Sequence, residues 1–289
     1  MEAWLNEAFI GISLASILLM VALGLAIIYG TMGVINLAHG QFVMLGAYGA
    51  WLLQTQYGFS IIVSLPVIFA AVALLGLLVE RTIIQRLYHR PLDTILATWG
   101  IGIVLEQLVR NMFGSSSRYV ARPEFLEGGY ILLGAHVSSY RLFIIVFSLA
   151  MLVGTWYLLY RTEFGTKLRS VIQNTEISEC YGISAKRVYA ITFAYGAGLA
   201  GLAGALVTPL VSVTPTMGTS FVVDAFLVVI VGGVGSLLGT AASALMIGEA
   251  TAWLSYVLND TTGRILILLG VIVLIRFRPQ GLFPDTVRR

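Results

Sequence analysis

The sequence predicts an all-α, polytopic bundle of transmembrane helices, and three observations carry that prediction. First, 58% of the 289 residues are apolar and only 11% are charged, whereas soluble domains carry about 25% charged residues. Second, the mean hydropathy is +0.92. Third, the apolar residues form continuous runs of about 20, the length that a helix needs to cross a hydrocarbon core of about 30 Å. Such runs are too long for the alternating strands of a membrane β-barrel.

Nine crossings are predicted within a single transmembrane domain, residues 1–289. One of them, Asn36–Leu53, is ambiguous because it is rich in Gly and Ala and begins with polar residues; a re-entrant or broken segment near residues 33–54 would reduce the count to eight. The other predicted crossings are Phe9–Tyr29, Ile61–Glu80, Thr94–Phe113, Leu142–Tyr160, Val188–Thr208, two within Phe221–Leu258 separated by its glycines at 232–239, and Arg264–Ile275.

The orientation follows from the Lys and Arg residues, 12 of which lie in three strips at residues 81–90, 161–187 and 276–289. Even numbers of predicted crossings separate the strips, so all three face one side, which the positive-inside rule makes cytoplasmic. The acidic N-terminus is then outside, or inside if Asn36–Leu53 is re-entrant. No basic residue precedes the first apolar run, which favours a retained helix over a cleaved signal peptide.

The largest polar loop, residues 161–187, has the features of a short amphipathic helix. Its apolar residues keep a partial helical spacing, and Gly165 and Gly182 are helix-boundary signals. Such a helix would lie at the membrane surface or dock into a partner. The alternative is an ordinary solvated connector. The apolar positions are Leu168, Val171, Ile172 and Ile177.

Three acidic residues fall inside predicted crossings, where an ionisable group is costly and tends to face a cavity or a partner. Asp224 lies near the predicted start of its helix, where free backbone N–H groups would stabilise a carboxylate. Glu249 lies mid-helix, where a pore residue or a buried pair is as consistent with the sequence as a carboxylate that a helix neighbour neutralises or that snorkels to an interface. Glu106 lies two-thirds along its helix. No lysine is placed to pair with any of them, so no salt-bridge relay is predicted.

Asn36 and His39 are candidates for lining a cavity in the membrane. They lie in a stretch whose glycines at 30, 33, 40 and 46 would allow the backbone to bend. Irregular backbone at membrane depth is tolerated only where it is buried in protein or lines a cavity. The alternative is that His39 is an ordinary hydrogen-bonded residue. By contrast, the small residues spaced four apart at 196, 200 and 204 predict close helix packing and no chemistry.

Several classes of function are excluded or made remote. The chain has one cysteine and no His pair at ligand spacing, so no metal site is predicted. It has no Gly-Lys dipeptide and hence no Walker A loop, and no nucleophile–base set, so no catalytic residue, ATP site or cofactor is assigned and the chain is not predicted to be an enzyme. The basic residues do not cluster on one face, which argues against nucleic acid as a partner.

Four strings resemble a known family: GLAIIYGTMGVINLAHGQFVMLGAY (24–48), FGTKLRSVIQNTEISECYGI (164–183), VDAFLVVIVGGVGSLLG (223–239) and RPQGLF (278–283). They are similar to the permease subunits of bacterial ABC importers of the branched-chain amino acid and amide uptake group. The strings LATWGI (96–101), QNTEI (173–177), PTMG (215–218) followed by VDAFLVV (223–229), and RPQGLF most resemble the urea branch. Gln41 stands where the family often has glutamate.

The resemblance implies a multi-pass inner-membrane permease that pairs with a second permease subunit, two cytoplasmic ATPases carrying ATP and Mg, and a periplasmic binding protein. The substrate would be urea or a short amide, with a branched-chain amino acid as the alternative and an ion-coupled carrier or channel using Glu106 or Glu249 as a more remote one. Residues 161–187 would be the ATPase-coupling region. The coupling candidates are Glu163, Gly165, Arg169, Asn174, Glu176 and Gly182, and the pathway candidates are Asn36, His39, Glu106, Asp224 and Glu249.

Overall fold

The computed structural model describes residues 2–88, 90–132 and 135–283, and it is almost entirely helical. Arg288 and Arg289 of the third basic strip lie outside the described residues. Two antiparallel strands, β1 (Gly129–Leu132) and β2 (Ala135–Ser138), pair in the longest loop. The helices are α1 (Glu2–Met32), α2 (His39–Tyr57), α3 (Ile61–Thr82), α4 (Pro91–Phe113), α5 (Ser139–Arg161), α6 (Glu163–Gln173), α7 (Thr175–Cys180), α8 (Ala185–Val207), α9 (Met217–Gly232), α10 (Leu237–Val257) and α11 (Asp260–Phe277).

The predicted all-α membrane bundle is confirmed. By length and composition six of the described helices could cross a membrane, namely α1, α3, α4, α5, α8 and α10. The long run at residues 221–258 is two helices, as predicted, with a turn at Gly233–Ser236. The apolar helix α9 has only 16 residues, and α2 and α11 do not meet the same criteria. Full crossings by these three helices therefore stay a prediction.

The bundle has a tightly packed centre of α1, α2 and α8. α8 contacts α1, α2 and α3 along their lengths, and α1 also packs on α9 and α10. Small residues make this approach close, because a side chain added at Gly46 would overlap the backbone at Gly201, and one added at Gly24 would overlap the carbonyl of Gly196. The small-residue spacing on α8 thus serves packing, as predicted.

The described parts of the three basic strips meet at one end of the bundle, called here the basic end. The ends of α1 and α5, the start of α6 and the turn at Gly235 line one cavity. Tyr88, which follows α3, packs its ring against Tyr189 at the start of α8, with centroids 5.2 Å apart. After α11 the chain returns to the same end, where the Leu282 N–H donates to the Val231 carbonyl at 2.8 Å.

Candidate functional site

A break between α1 and α2 brings irregular backbone into the centre of the bundle. Helix α1 ends at Met32, Gly33 takes a left-handed conformation with φ +64°, and α2 begins only at His39. The His39 ring contacts the Val21 carbonyl, which lies about 16 Å back along α1 at 1.5 Å per residue. The chain therefore runs back into the bundle before α2 starts, and the break predicted near residues 33–54 is confirmed.

Polar side chains crowd the start of α2 and are shielded from solvent. Asn36 and His39 are fully buried and Gln41 is 6% exposed. Nε2 of His39 lies 2.9 Å from the Val21 carbonyl oxygen, and because a carbonyl only accepts, Nε2 carries the proton and donates. The Oδ1 atom of Asn36 accepts from the Ala38 N–H at 3.0 Å.

Three atoms of this group have no hydrogen-bond partner among the described residues: Asn36 Nδ2, His39 Nδ1 and Gln41 Oε1. Buried polar atoms are nearly always paired, so each unpaired one needs an explanation. Here a donor and two acceptors lie beside the N-terminal end of α2, which carries the positive end of the helix dipole. These groups, called here the α2 entry site, are each chemically able to hydrogen-bond a polar molecule.

Thr98 of α4 holds the broken segment in place. It is fully buried, its Oγ1 accepts from the Leu37 N–H at 3.2 Å, and its hydroxyl lies 3.0 Å from the Ile95 carbonyl. This hydrogen bond pairs the backbone N–H of Leu37, which lies outside any helix. The sequence showed Thr98 only as part of the string LATWGI, because a contact across 61 residues leaves no local pattern.

A cavity of about 940 Å³ lies at the basic end and reaches the start of the broken segment. It is bounded by the ends of α1 and α5, one face of α6 and the turn before α10. Gly33 and Gly30 line one wall, and Arg169 lines another. Arg169 donates to the Leu159 carbonyl and lies 5.5 Å from the centre of the Tyr160 ring, so its charge is held at the cavity wall.

The acidic pathway candidates do not gather at the α2 entry site. Glu106 forms an ion pair with Arg110 one turn away, at 2.7 Å, and the arginine at i+4 is the signal of this pair in the sequence. Glu249 packs against Gly11 of α1, where an added side chain would overlap its carboxylate.

Asp224 is also placed differently from the prediction. It is the eighth residue of α9, which begins at Met217, so the explanation from a helix N-terminus is wrong. Instead it lines a cavity of about 50 Å³ together with Arg264 of α11 and Thr251 of α10. The opposite charge of Arg264 is its compensating neighbour.

Residues 161–187 fold into a helical hairpin, α6 and α7, rather than one amphipathic helix. The Thr162 side chain caps α6 by accepting from the Gly165 N–H, and the Asn174 side chain caps α7 by accepting from the Ile177 N–H. Gly182 ends the unit with φ +82°. Gly165 lies inside the first turn of α6, where it allows contact with the Leu159 carbonyl, so it marks a close approach instead of a boundary.

The hairpin presents an exposed apolar patch at the basic end. Ile172, Ile177 and Tyr181 are 42%, 56% and 83% exposed, and Glu176 and Asn174 are exposed beside them. Leu168 and Val171 instead face inward, packed with Ala185 and Val188. Glu163 pairs with Lys167 at 3.4 Å on the exposed face of α6. The hairpin is thus anchored by one face and free on the other.

A bundle of long apolar helices with a broken helix and a buried polar site defines a polytopic membrane permease. The family model described as branched-chain amino acid transport system, permease component, matches residues 8–275. The chain therefore belongs to that family and is a multi-pass protein of the inner membrane.

Relatives match over nearly the whole chain. The high-affinity branched-chain amino acid transport system permease protein BraD of Pseudomonas aeruginosa is 26% identical, over 96% of this chain and 95% of its own. The corresponding LivH protein of Escherichia coli K12 is 29% identical, over 94% of both chains. The LivM permease of the same strain is 24% identical, over 95% of this chain and 69% of its own. No solved structure matches.

These relatives are permease subunits, and their names give branched-chain amino acids rather than urea. The resemblance to the permease group is confirmed. Nothing in the comparisons supports the urea branch, and the alternative substrate predicted from the sequence is the one that agrees with the relatives.

Proposed function

We propose that the chain is a permease subunit of an ABC importer that moves branched-chain amino acids across the inner membrane. The observation that carries the proposal is the match along almost the full length to permeases named for that transport. The chain would bind and pass the substrate, while partner ATPases would bind ATP and Mg and hydrolyse the nucleotide.

The α2 entry site supports an amino acid over urea on physical grounds. A zwitterion needs its carboxylate matched inside the membrane, and the N-terminus of a broken helix supplies the positive end of a helix dipole. Asn36 Nδ2 adds a donor, while His39 Nδ1 and Gln41 Oε1 add acceptors for the substrate ammonium. We therefore assign Asn36 and His39 to the pathway.

Glu106, Asp224 and Glu249 are left out of the proposed pathway. Arg110 pairs with Glu106 and Arg264 lies beside Asp224, while Glu249 packs against Gly11 of α1. None of them borders the α2 entry site in the contacts described above. This placement also removes the motive for an ion-coupled carrier with a proton site at Glu106.

The α6–α7 hairpin is proposed as the surface that couples transport to ATP hydrolysis. An exposed apolar patch ringed by polar residues is typical of a docking site, and this patch is at the basic end, which the positive-inside rule makes cytoplasmic. Glu176, Asn174 and Gly182 would shape the contact with an ATPase. Gly165 and Arg169 would hold the hairpin against α5, and Glu163 would lie on its exposed face.

The other partners follow from the class of transporter. A second permease subunit, either a copy of this chain or a LivM-like relative, would complete the membrane part. A periplasmic binding protein would deliver the substrate at the opposite end. Both are proposals, and the pairing of unlike permeases is favoured by the similarity of this chain to both LivH and LivM of one organism.

Reconstitution tests the proposal. The chain is purified with the second permease and ATPases encoded beside it, placed in proteoliposomes, and supplied with the cognate binding protein. ATP-dependent uptake of labelled leucine that exceeds uptake of labelled urea at least tenfold is the expected result. A preference for urea would return the substrate to the amide class, and leucine uptake without ATPases that follows a proton gradient would establish a secondary carrier instead.

A further inference from the structure

A buried carboxylate near the basic end has no role in the pathway described above. Glu80 lies in the last turn of α3 and is fully buried. Its Oε1 accepts a hydrogen bond from the Tyr88 hydroxyl, while Oε2 has no partner among the described residues. A buried carboxylate with a single hydrogen bond is costly in free energy, so its retention here calls for an explanation beyond packing.

The partner of Glu80 links α3 to the start of α8 and to the hairpin. The Tyr88 ring packs edge-on against the ring of Tyr189, with centroids 5.2 Å apart. The Tyr189 hydroxyl lies 3.4 Å from Oγ1 of Thr175. Thr175 is the first residue of α7 and also donates to the Val171 carbonyl of α6 at 3.0 Å. Glu80 and Tyr88 are therefore in contact, through two rings, with the joint of the α6–α7 hairpin.

The loop between α3 and α4, which contains Tyr88, is also tied to the broken segment that precedes α2. Oγ1 of Thr94, at the start of α4, donates to the Leu87 carbonyl at 2.9 Å, which fixes the residue before Tyr88. One helical turn further along α4, Thr98 accepts from the Leu37 N–H. The segment of α4 from Thr94 to Thr98 therefore joins the loop that contains Tyr88 to the backbone that leads into the α2 entry site.

Burial and the neighbouring carboxylate keep the Tyr88 hydroxyl protonated. Desolvation is the main cause that raises its pKa above the ordinary value, and the hydrogen bond to Glu80 raises it further. The hydroxyl therefore donates throughout the physiological range, so the Glu80–Tyr88 bond is a constant feature of this state. On one side of this hydrogen bond Glu80 belongs to α3, and on the other side the Tyr88 ring contacts Tyr189 of α8.

We propose that Tyr88, held by Glu80, is a positioning residue that transmits movement of the α6–α7 hairpin through α4 to the broken segment. The inference rests on the proposed function, because it assumes that a motor moves the hairpin. Coupling between distant sites is carried by chains of packed side chains and hydrogen bonds joined by rigid elements. Because Oε2 of Glu80 is unpaired, it can accept a new hydrogen bond after the loop that contains Tyr88 has moved.

The test compares Tyr88→Phe, Glu80→Gln and Thr98→Val in the reconstituted complex. Tyr88→Phe keeps the ring contact and removes only the hydroxyl. The measured quantity is the amount of labelled leucine transported per ATP hydrolysed. Because the complex is purified, a variant that is expressed poorly does not change this ratio. We expect each variant to lower this ratio about fivefold, the smaller end of allosteric coupling, with basal ATP hydrolysis unchanged in Tyr88→Phe and Glu80→Gln. The matched control is Tyr157→Phe, on an exposed residue of α5, which should keep the wild-type ratio.

A double variant distinguishes a shared route from separate local effects. Residues that act through one path give non-additive effects, so Tyr88→Phe combined with Thr98→Val should lower the ratio no further than the worse single variant. Multiplied effects, or a lowered melting temperature with an unchanged ratio, would overturn the inference and leave Tyr88 a packing residue. If the wild-type complex neither moves leucine nor hydrolyses ATP in response to it, the proposed function fails; if it does both and the variants match it, only this inference fails.

Discussion

The centre of the bundle and its outer helices use glycine in opposite ways. On α2 and α8, glycines permit backbones to touch: an added side chain at Gly46 would overlap Gly201, and one at Gly204 would overlap the Val43 carbonyl. On α5, nothing lies within 4 Å of the position that a side chain at Gly154 would take. Membrane helices gain little from burying apolar surface against one another. Close contact therefore marks where the structure is fixed, and open surface marks where lipid or a partner lies.

Polar groups follow the same division. In the centre, Asn36 and His39 are fully buried with unpaired atoms. On the outer helix α4, Glu106 is paired at once with Arg110. Glu106 thus has a partner on its own helix, whereas Asn36 and His39 keep atoms without one. That contrast supports the proposed transport pathway in the packed region.

The largest expected effect comes from breaking the close packing. Gly46→Ala should prevent α2 and α8 from reaching their present distance, because backbone atoms at Gly201 cannot move aside as a side chain would. Overpacking of this kind costs about 1–3 kcal/mol or more. We expect a large fall in the melting temperature of the purified protein, or no folded protein at all.

Gly154→Ala on the exposed face of α5 is its matched control. The same substitution there meets no atom and improves helix propensity by up to about 1 kcal/mol. Its melting temperature should equal or exceed that of the wild type. Equal destabilisation by the two variants would show that the packed and open regions do not differ as argued.

The difference between the packed centre and the open outer helices was partly predictable from the sequence. The continuous apolar runs indicated the helices, and the small-residue spacing on α8 indicated the packed face. Glycine next to polar residues at 33–41 indicated the break, because irregular backbone is tolerated only inside the bundle. These signals are local, and local periodicity is what a sequence displays directly.

The unpredicted features depend on contacts between distant residues. Asp224 and Arg264 share a cavity across 40 residues, and Thr98 reaches Leu37 across 61. Glu80 lies at the end of an apolar run, where a carboxylate ordinarily faces water, yet its side chain is buried against Tyr88. Each of these contacts is set by tertiary packing, and no residue spacing in the sequence indicates it.

The second prediction concerns the polar atoms of the packed centre. His39→Ala removes both ring nitrogens from the α2 entry site, and uptake of leucine should fall about tenfold, equivalent to about 1.4 kcal/mol for a lost hydrogen bond to a charged substrate. Ser13→Ala is the control, since Ser13 is also fully buried in α1 with an unpaired hydroxyl but lies far along the helix from His39. Uptake that fell equally in both variants would indicate a general packing defect.

The third prediction concerns the open region at the basic end. Glu176→Lys reverses a charge beside the exposed patch, and like charges across an interface weaken association. We expect leucine-stimulated ATP hydrolysis to fall about fivefold, with folding unchanged because Glu176 is exposed. Glu124→Lys, an equally exposed position in the loop at the opposite end, should leave hydrolysis unchanged. A full rate in Glu176→Lys would remove α7 from the docking surface.

The smallest effect is expected at the Glu163–Lys167 pair on the outer face of α6. Its side chains are 91% and 52% exposed, and exposed i,i+4 pairs contribute only about 0.3–0.5 kcal/mol. Glu163→Gln should therefore shift the melting temperature by about 1 °C or less. The same variant sharpens the boundary of the docking surface: transport that falls more than twofold without a change in stability would extend that surface from α7 onto α6, whereas unchanged transport confines it to Glu176 and its apolar neighbours.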